Sequence, residues 1–240
     1  MPDPHQPVAP AAPVRLATVV PHVDTWLCGL ERSGAEIRAL TEWLSPAERA
    51  RSLRFGTDVL RERWVAGRAT LRMLLGQVLG IAPSAVEIRR GVRGRPELAD
   101  ASAGIDFNVS HTHAVALIAI ARGFAADARI GVDIERRDRA VGVDRLARKY
   151  LTANERTTLA DLDVYGRCAR FVRYWTCKEA MSKATADGLI APFGRIELAL
   201  ADPPRLVDGP PPYVPAQWTL RHAAAPEAWW ATIAIWRRSA

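Results

Sequence analysis

One order of signals occurs twice along the chain and restricts the folds open to it. Residues 44–55, LSPAERARSLRF, carry Ser45 as an N-cap, Pro46 at the first helical position and Glu48 closing a capping box. The following TDVLRERWVAGRATLRMLLGQVLG continues as a long amphipathic helix, with Leu60, Trp64, Leu71, Leu74 and Leu75 at helical spacing. In the second half, LTANERTTL sets Thr152, Glu155 and Arg156 where Ser45, Glu48 and Arg49 stood, and a second long helix carries RYWTCKEAMSK. Aligning Trp175 with Trp64 brings Glu179 onto Arg68 and Lys183 onto Arg72.

Short alternating runs surround these helices. Strands are expected at 23–28, 86–89, 105–109, 114–121 and 129–135, then at 195–200, 217–221 and 229–236, and TIAIW near the end echoes LIAIA of the first half. The segment ADPPRLVDGPPPYVP reads as a Pro-rich loop. The fold expected is α+β: two similar subdomains related by a pseudo-two-fold duplication, each a long helix packed on a small antiparallel sheet. Residues 1–13, rich in Pro and Ala, read as a disordered N-terminal tail, residues 14–137 as the first subdomain and 138–240 as the second.

Hydrophobic residues make up 49% of the chain and charged residues 25%, the balance of a soluble protein with a real core. No apolar run approaches a membrane span, and the N-terminus lacks the basic and apolar regions of a secretory signal. Three cysteines without metal-type spacing suggest reduced thiols and a cytoplasmic location. A net charge of +7 favours anionic partners.

Only three of the 33 basic Lys and Arg residues are lysine, and two of them, Lys178 and Lys183, lie together beside Glu179. Lysine differs from arginine in being able to release a proton and in fitting a single phosphate oxygen as a compact charge. Trp175, Glu179 and Lys183 share one helix face. In RIGVDIERR, Asp133 and Glu135 point to one face of a strand, a pairing suited to Mg²⁺ shared with substrate phosphates. FNVSHTH supplies Ser110 and His111 as anion donors. Its His111 and His113 lack the further ligands that zinc needs, and no G-x-S-x-G elbow surrounds Ser110. Arg95, followed by Pro96 in the turn RGRP, is suited to holding a phosphate.

Taken in order, Gly94-Arg95-Pro96, Phe107-Asn108-Val109-Ser110-His111, Gly131-Val132-Asp133-Ile134-Glu135 and Trp175-Thr176-Cys177-Lys178-Glu179 with Lys183 four residues on resemble the phosphopantetheinyl transferases of the surfactin-synthetase-activating type. The resemblance implies a pseudo-two-fold α+β protein with its active site between the halves. It also implies transfer of 4'-phosphopantetheine from coenzyme A to a serine of an apo acyl or peptidyl carrier protein, with release of 3',5'-adenosine bisphosphate. By the same resemblance Asp133, Glu135 and Glu179 would hold Mg²⁺, Lys178 and Lys183 would contact phosphates, and Arg95, Pro96, Ser110 and His111, with Arg49 and Arg63, would bind the nucleotide end. Glu179 and Lys183 are the expected catalytic pair, and Cys177 is expected to pack rather than react. A monomer suffices for such a duplicated chain, with neither nucleic acid nor membrane as partner. Two other readings use the same features: a Mg²⁺-dependent phosphodiesterase or nuclease, and an Arg-rich nucleic-acid binder, although the arginines are scattered and lack interleaved aromatic platforms.

Overall fold

A computed structural model describes residues 12–124, 127–139 and 141–238. The expected disordered tail lies, up to residue 11, outside the described residues. After the short strand β1 (Val14–Arg15), the first half runs β2 (Val23–Gly29), α1 (Gly34–Thr41), α2 (Pro46–Ser52), α3 (Asp58–Leu79), β3 (Ile88–Arg90), β4 (Pro96–Leu98), β5 (Ile105–Thr112) and β6 (Val115–Arg122). The second half runs β7 (Ala128–Arg136), α4 (Val143–Tyr150), α5 (Ala153–Thr157), α6 (Val164–Thr185), β8 (Glu197–Ala199), β9 (Arg205–Asp208), β10 (Trp218–His222) and β11 (Trp229–Arg237). From β2 and from β7 onward the order of elements is the same.

Both capping boxes form, with Ser45 and Thr152 each accepting from the backbone of the glutamate three residues on. A third, Ser33 with Glu36, starts α1. The first long helix is not continuous with its capping box: α2 ends at Ser52, and Thr57 caps α3 afresh. Both α3 and α6 have 22 residues and end on a left-handed residue, Gly80 or Ala186. Superposed from their first residues, Asp58 on Val164, they bring Arg72 onto Lys178. Burial supports this register: Arg72 Nε donates to Glu48 over 2.6 Å, and Lys178 Nζ donates to Glu155 over 2.6 Å. The tryptophan alignment, which matched Arg72 with Lys183, is therefore corrected.

Two antiparallel sheets form the centre, one ordered β1-β2-β6-β5 and the other β10-β11-β7. Since β7 pairs with β11 along its whole length, it belongs to the C-terminal sheet. The division expected at 137–138 falls just after β7, and the connection between the two sheets lies before it, between β6 and β7. Each sheet packs one face on its own long helix, and the other faces meet in a shared core that includes Leu27, Leu117, Ile130, Val132 and Ile233. The Pro-rich segment read as a loop contains β9, and its Tyr213 is fully buried and stacked on Trp218.

The sheets join at a seam where β5 and β7 run side by side in the same direction. The outward N–H groups of an edge strand need acceptors once buried. Side chains of β5 provide them: Asp106 accepts from Ile130 N over 2.7 Å and Asn108 from Val132 N over 3.0 Å. Arg95 braces the seam, giving Asp106 two 2.9 Å hydrogen bonds and donating to the carbonyls of Phe107 and Ile130. It is 7% exposed and fully engaged. Gly131 of β7 admits α6, because a Cβ there would stand 1.9 Å from the Ala180 carbonyl oxygen. Replacing Arg95 by alanine leaves the buried Asp106 carboxylate with the Ile130 amide and, as its remaining cation, the more distant Arg129 guanidinium, 3.6 Å away. A loss of about 3 kcal/mol of unfolding free energy is expected in urea titration; a loss below about 1 kcal/mol would mean that the seam holds without it.

Candidate active site between the two sheets

The seam continues as a polar row. Beyond Asn108, Ser110 Oγ donates to Asp133 Oδ1 over 2.7 Å and Thr112 Oγ1 to Glu135 Oε2 over 2.9 Å. Lys183 Nζ reaches down from α6 to both Ser110 Oγ and Asp133 Oδ1, each at 2.7 Å. Side chains from β5, β7 and α6 therefore meet at one point, and the close approach at Gly131 makes this possible. Glu179, one turn before Lys183, overlooks the same place.

The charges here are not balanced. Burial first, then repulsion from Asp133 and Glu135, pushes the Glu179 carboxyl up to about 7, against the pull of Lys183. Burial and Asp133 likewise raise Glu135, opposed by Arg139 and Thr112. Asp133 Oδ2 and Glu179 Oε1 are buried without a hydrogen-bond partner. Two open carboxylate oxygens facing a site of excess negative charge fit a divalent cation held by one or two carboxylates and completed by substrate phosphates. Among the described residues no group of three or more Asp, Glu, His or Cys could hold a metal by protein ligands alone. Glu135 departs from the expected trio, since Thr112 and the Arg139 guanidinium engage its two oxygens.

Next to this centre, on the β5 side, a cleft of about 260 Å³ opens between α3 and the first sheet. Arg63, Pro96 and His111, three of the residues expected at the nucleotide end, line it, with Trp64 on its wall. Arg51, Arg68 and Arg90 line it too, and the reading of the sequence missed all three. Arg51 and Arg68 lie over the Trp64 ring, at 5.7 and 5.9 Å from its centre. Their signal lay in the spacing of arginines around Trp64 on α2 and α3. Arg49 does not line the cleft. His111 stands at the mouth; partial desolvation and Lys183 lower its pKa, so the ring favours the neutral form.

Two expected phosphate ligands are engaged elsewhere in the fold. Lys178 is wholly buried, and Glu155, Tyr150 O and Phe193 O accept from its ammonium within 2.6–2.9 Å. Burial lowers the pKa of Lys178 and raises that of Glu155, with their mutual attraction opposing both shifts. No donor of Lys178 is left for a phosphate. Arg95 is committed to the seam in the same way. Trp175 packs with Tyr150, Phe171 and Phe193 in the C-terminal core. Cys177 is fully buried, its thiol pushed up by burial to about 11, which suits packing rather than nucleophilic attack.

Comparison with known proteins agrees with this architecture. Residues 129–234 match the 4'-phosphopantetheinyl transferase superfamily, and residues 31–122 match the N-terminal region of 4'-phosphopantetheinyl transferases. The two matches part between β6 and β7, where the sheets divide. The chain is 36% identical over 202 residues to the 4'-phosphopantetheinyl transferase HetI of a Nostoc species, covering 82% of this chain and 83% of that protein. It is 28% identical over 185 residues to a phosphopantetheinyl transferase of a Thraustochytrium species, covering 70% of this chain and 62% of the relative. It is 26% identical over 187 residues to the L-aminoadipate-semialdehyde dehydrogenase-phosphopantetheinyl transferase of Homo sapiens, covering 74% of this chain and 58% of the relative. The chain belongs to the 4'-phosphopantetheinyl transferase superfamily and is an enzyme of that class.

The raised Glu179 carboxyl has a consequence for stability. A carboxyl with a folded pKa above its ordinary value costs nothing below that ordinary value, and destabilises increasingly as pH rises towards about 7. Glu179→Gln is therefore expected to raise the melting temperature in EDTA at pH 8, with the gain shrinking towards pH 5. Equal melting temperatures for the two proteins at pH 8 would contradict the electrostatics described.

Proposed function

We propose that the protein transfers 4'-phosphopantetheine from coenzyme A to a serine hydroxyl of an apo acyl or peptidyl carrier protein, with Mg²⁺, releasing 3',5'-adenosine bisphosphate. In this reading it is a monomeric cytoplasmic enzyme of the surfactin-synthetase-activating type, and its halves descend from one duplicated unit. The repeated element order and the matched Glu48–Arg72 and Glu155–Lys178 pairs support the duplication. The observation that carries the functional reading is the meeting of Lys183, Ser110 and Asp133 across the seam, with the open oxygens of Asp133 and Glu179 beside them.

The arginine-lined cleft suits the nucleotide, with Arg51, Arg63, Arg68 and Arg90 neutralising its phosphates and Trp64 offering an aromatic face. From there the pyrophosphate extends past His111 to Ser110 and Lys183. Asp133 and Glu179 would hold Mg²⁺, and Glu135 would contribute only by releasing Arg139. When bound, the ion would supply positive charge against the pyrophosphate, reducing its repulsion of the incoming oxygen. The carrier serine oxygen attacks the phosphorus that bears pantetheine, forming a new O–P bond. The bond from that phosphorus to the bridging oxygen of adenosine bisphosphate breaks. Glu179, or a water that it orients, would accept the serine proton. Lys183 stabilises the departing phosphate and can give it a proton, which an arginine cannot do.

The direct test is the intact mass of an apo carrier protein after incubation with this protein, coenzyme A and Mg²⁺. A gain of one phosphopantetheine is expected, lost with EDTA and with Lys183→Ala. No gain on fatty-acid, polyketide or peptide carriers, together with no binding of coenzyme A, would overturn the reading. Phosphodiester hydrolysis without any carrier would favour the phosphodiesterase alternative.

A further inference from the structure

The two halves differ where the cleft lies. Among the small and apolar residues that line the N-terminal cleft are Leu30 after β2, Gly67 on α3, Val109 on β5 and Ala116 on β6. The helix register that aligns Arg72 with Lys178 sets Gly67 opposite Arg173. Matched on one another, the strand pairs Cys28–Ala116 and Glu135–Trp230 set Ala116 opposite Trp230 and Leu30 opposite Arg137. They also set Val109 opposite His222. The cleft of the first half is thus filled in the second by two arginines, a tryptophan and a histidine.

This filling has features that packing does not require. The guanidinium carbons of Arg137 and Arg173 lie 3.9 and 5.1 Å from the centre of the Trp230 ring. Among the described residues neither guanidinium has a carboxylate within ion-pairing distance. Arg137 donates to Trp229 O over 3.3 Å, while Arg173 donates to His222 Nε2 over 3.1 Å and to Ala201 O over 3.2 Å. Trp230 Nε1, which can only donate, is buried without a partner. The cluster therefore has a surplus of donors and positive charge. Stacking on an aromatic face holds a guanidinium plane ready for a planar carboxylate.

Its place gives the surplus a use. Trp230 pairs with Glu135 across the ladder, and Arg137 lies two residues beyond Glu135 on β7. The cluster flanks the carboxylate centre on the side away from the β5 cleft. We propose that Arg137 and Arg173, stacked on Trp230, bind a carboxylate side chain of the carrier protein and so direct its serine towards Glu179. The inference rests on the transferase reading above.

Steady-state transfer onto apo carrier proteins by an Arg137→Ala/Arg173→Ala double variant provides the test. A rise of about tenfold or more in the KM for carrier is expected, with kcat and the KM for coenzyme A within about twofold of the unsubstituted protein. An unchanged carrier KM, or an equal rise in both KM values, would overturn the proposal. If the double variant fails to fold, the carrier KM of the unsubstituted protein is followed as salt rises from about 20 to 300 mM: a steep rise is expected, and a flat profile rejects the site. Absence of transfer by the unsubstituted protein would sink the transferase reading and this inference with it, whereas transfer indifferent to both arginines would sink the inference alone.

Discussion

The contact between Arg95 and Asp106 lies at the join of two sheets that share no backbone ladder. Asp106 satisfies an edge amide of β7 with one oxygen and takes two hydrogen bonds from Arg95. Arg95 in turn reaches the Ile130 carbonyl across the seam. A mismatch in this contact would leave a charge, a carbonyl or an amide buried and unpaired, each at substantial cost. The seam thereby sets β7 in register with β5, and further along the two strands Ser110 meets Asp133. The polar row of the candidate site is a continuation of the structural one.

Packing on the other side of β7 completes the geometry. With no side chain at Gly131, the helix backbone lies against the strand, and Lys183 spans the remaining distance to Asp133. The electrostatic strain among Asp133, Glu135 and Glu179 remains in the folded protein without a cation. The site is thus preorganised for charge that arrives with substrate, the usual way in which phosphoryl transfer is assisted.

Much of this was legible in the sequence, and what was not legible had specific reasons. The capping boxes, the two long helices, most strands and the carboxylates of β7 follow from local pattern. The class of enzyme follows from the order of four short motifs. Local pattern did not reveal that Lys178 lies inside the protein and Lys183 at the seam, because residues five apart on a helix face different directions and only tertiary packing decides which is covered. It also misassigned Arg95, since an arginine before a proline in a basic turn gives no sign of a buried aspartate eleven residues on. Aligning tryptophans misled for a related reason: Trp64 lines a cleft while Trp175 packs in a core, so the equivalent positions are the buried cations. The assignment of β7 to the second sheet depended on long-range pairing that a strand's own sequence does not encode.

Unequal use of two similar halves runs through the account. One half keeps small residues around an open, arginine-lined cleft; the other fills the matching space and supplies the carboxylates. A single site per chain results, built from β5, β7 and α6 together. The most direct measurement of this central claim is a crystal structure of the protein with coenzyme A and Mg²⁺. The adenine nucleotide is expected in the Trp64 cleft, the pyrophosphate at Ser110 and Lys183, and the cation on the open oxygens of Asp133 and Glu179. Coenzyme A bound in any other cleft, or a pyrophosphate held by Arg95 or Lys178 after the seam had opened, would contradict it.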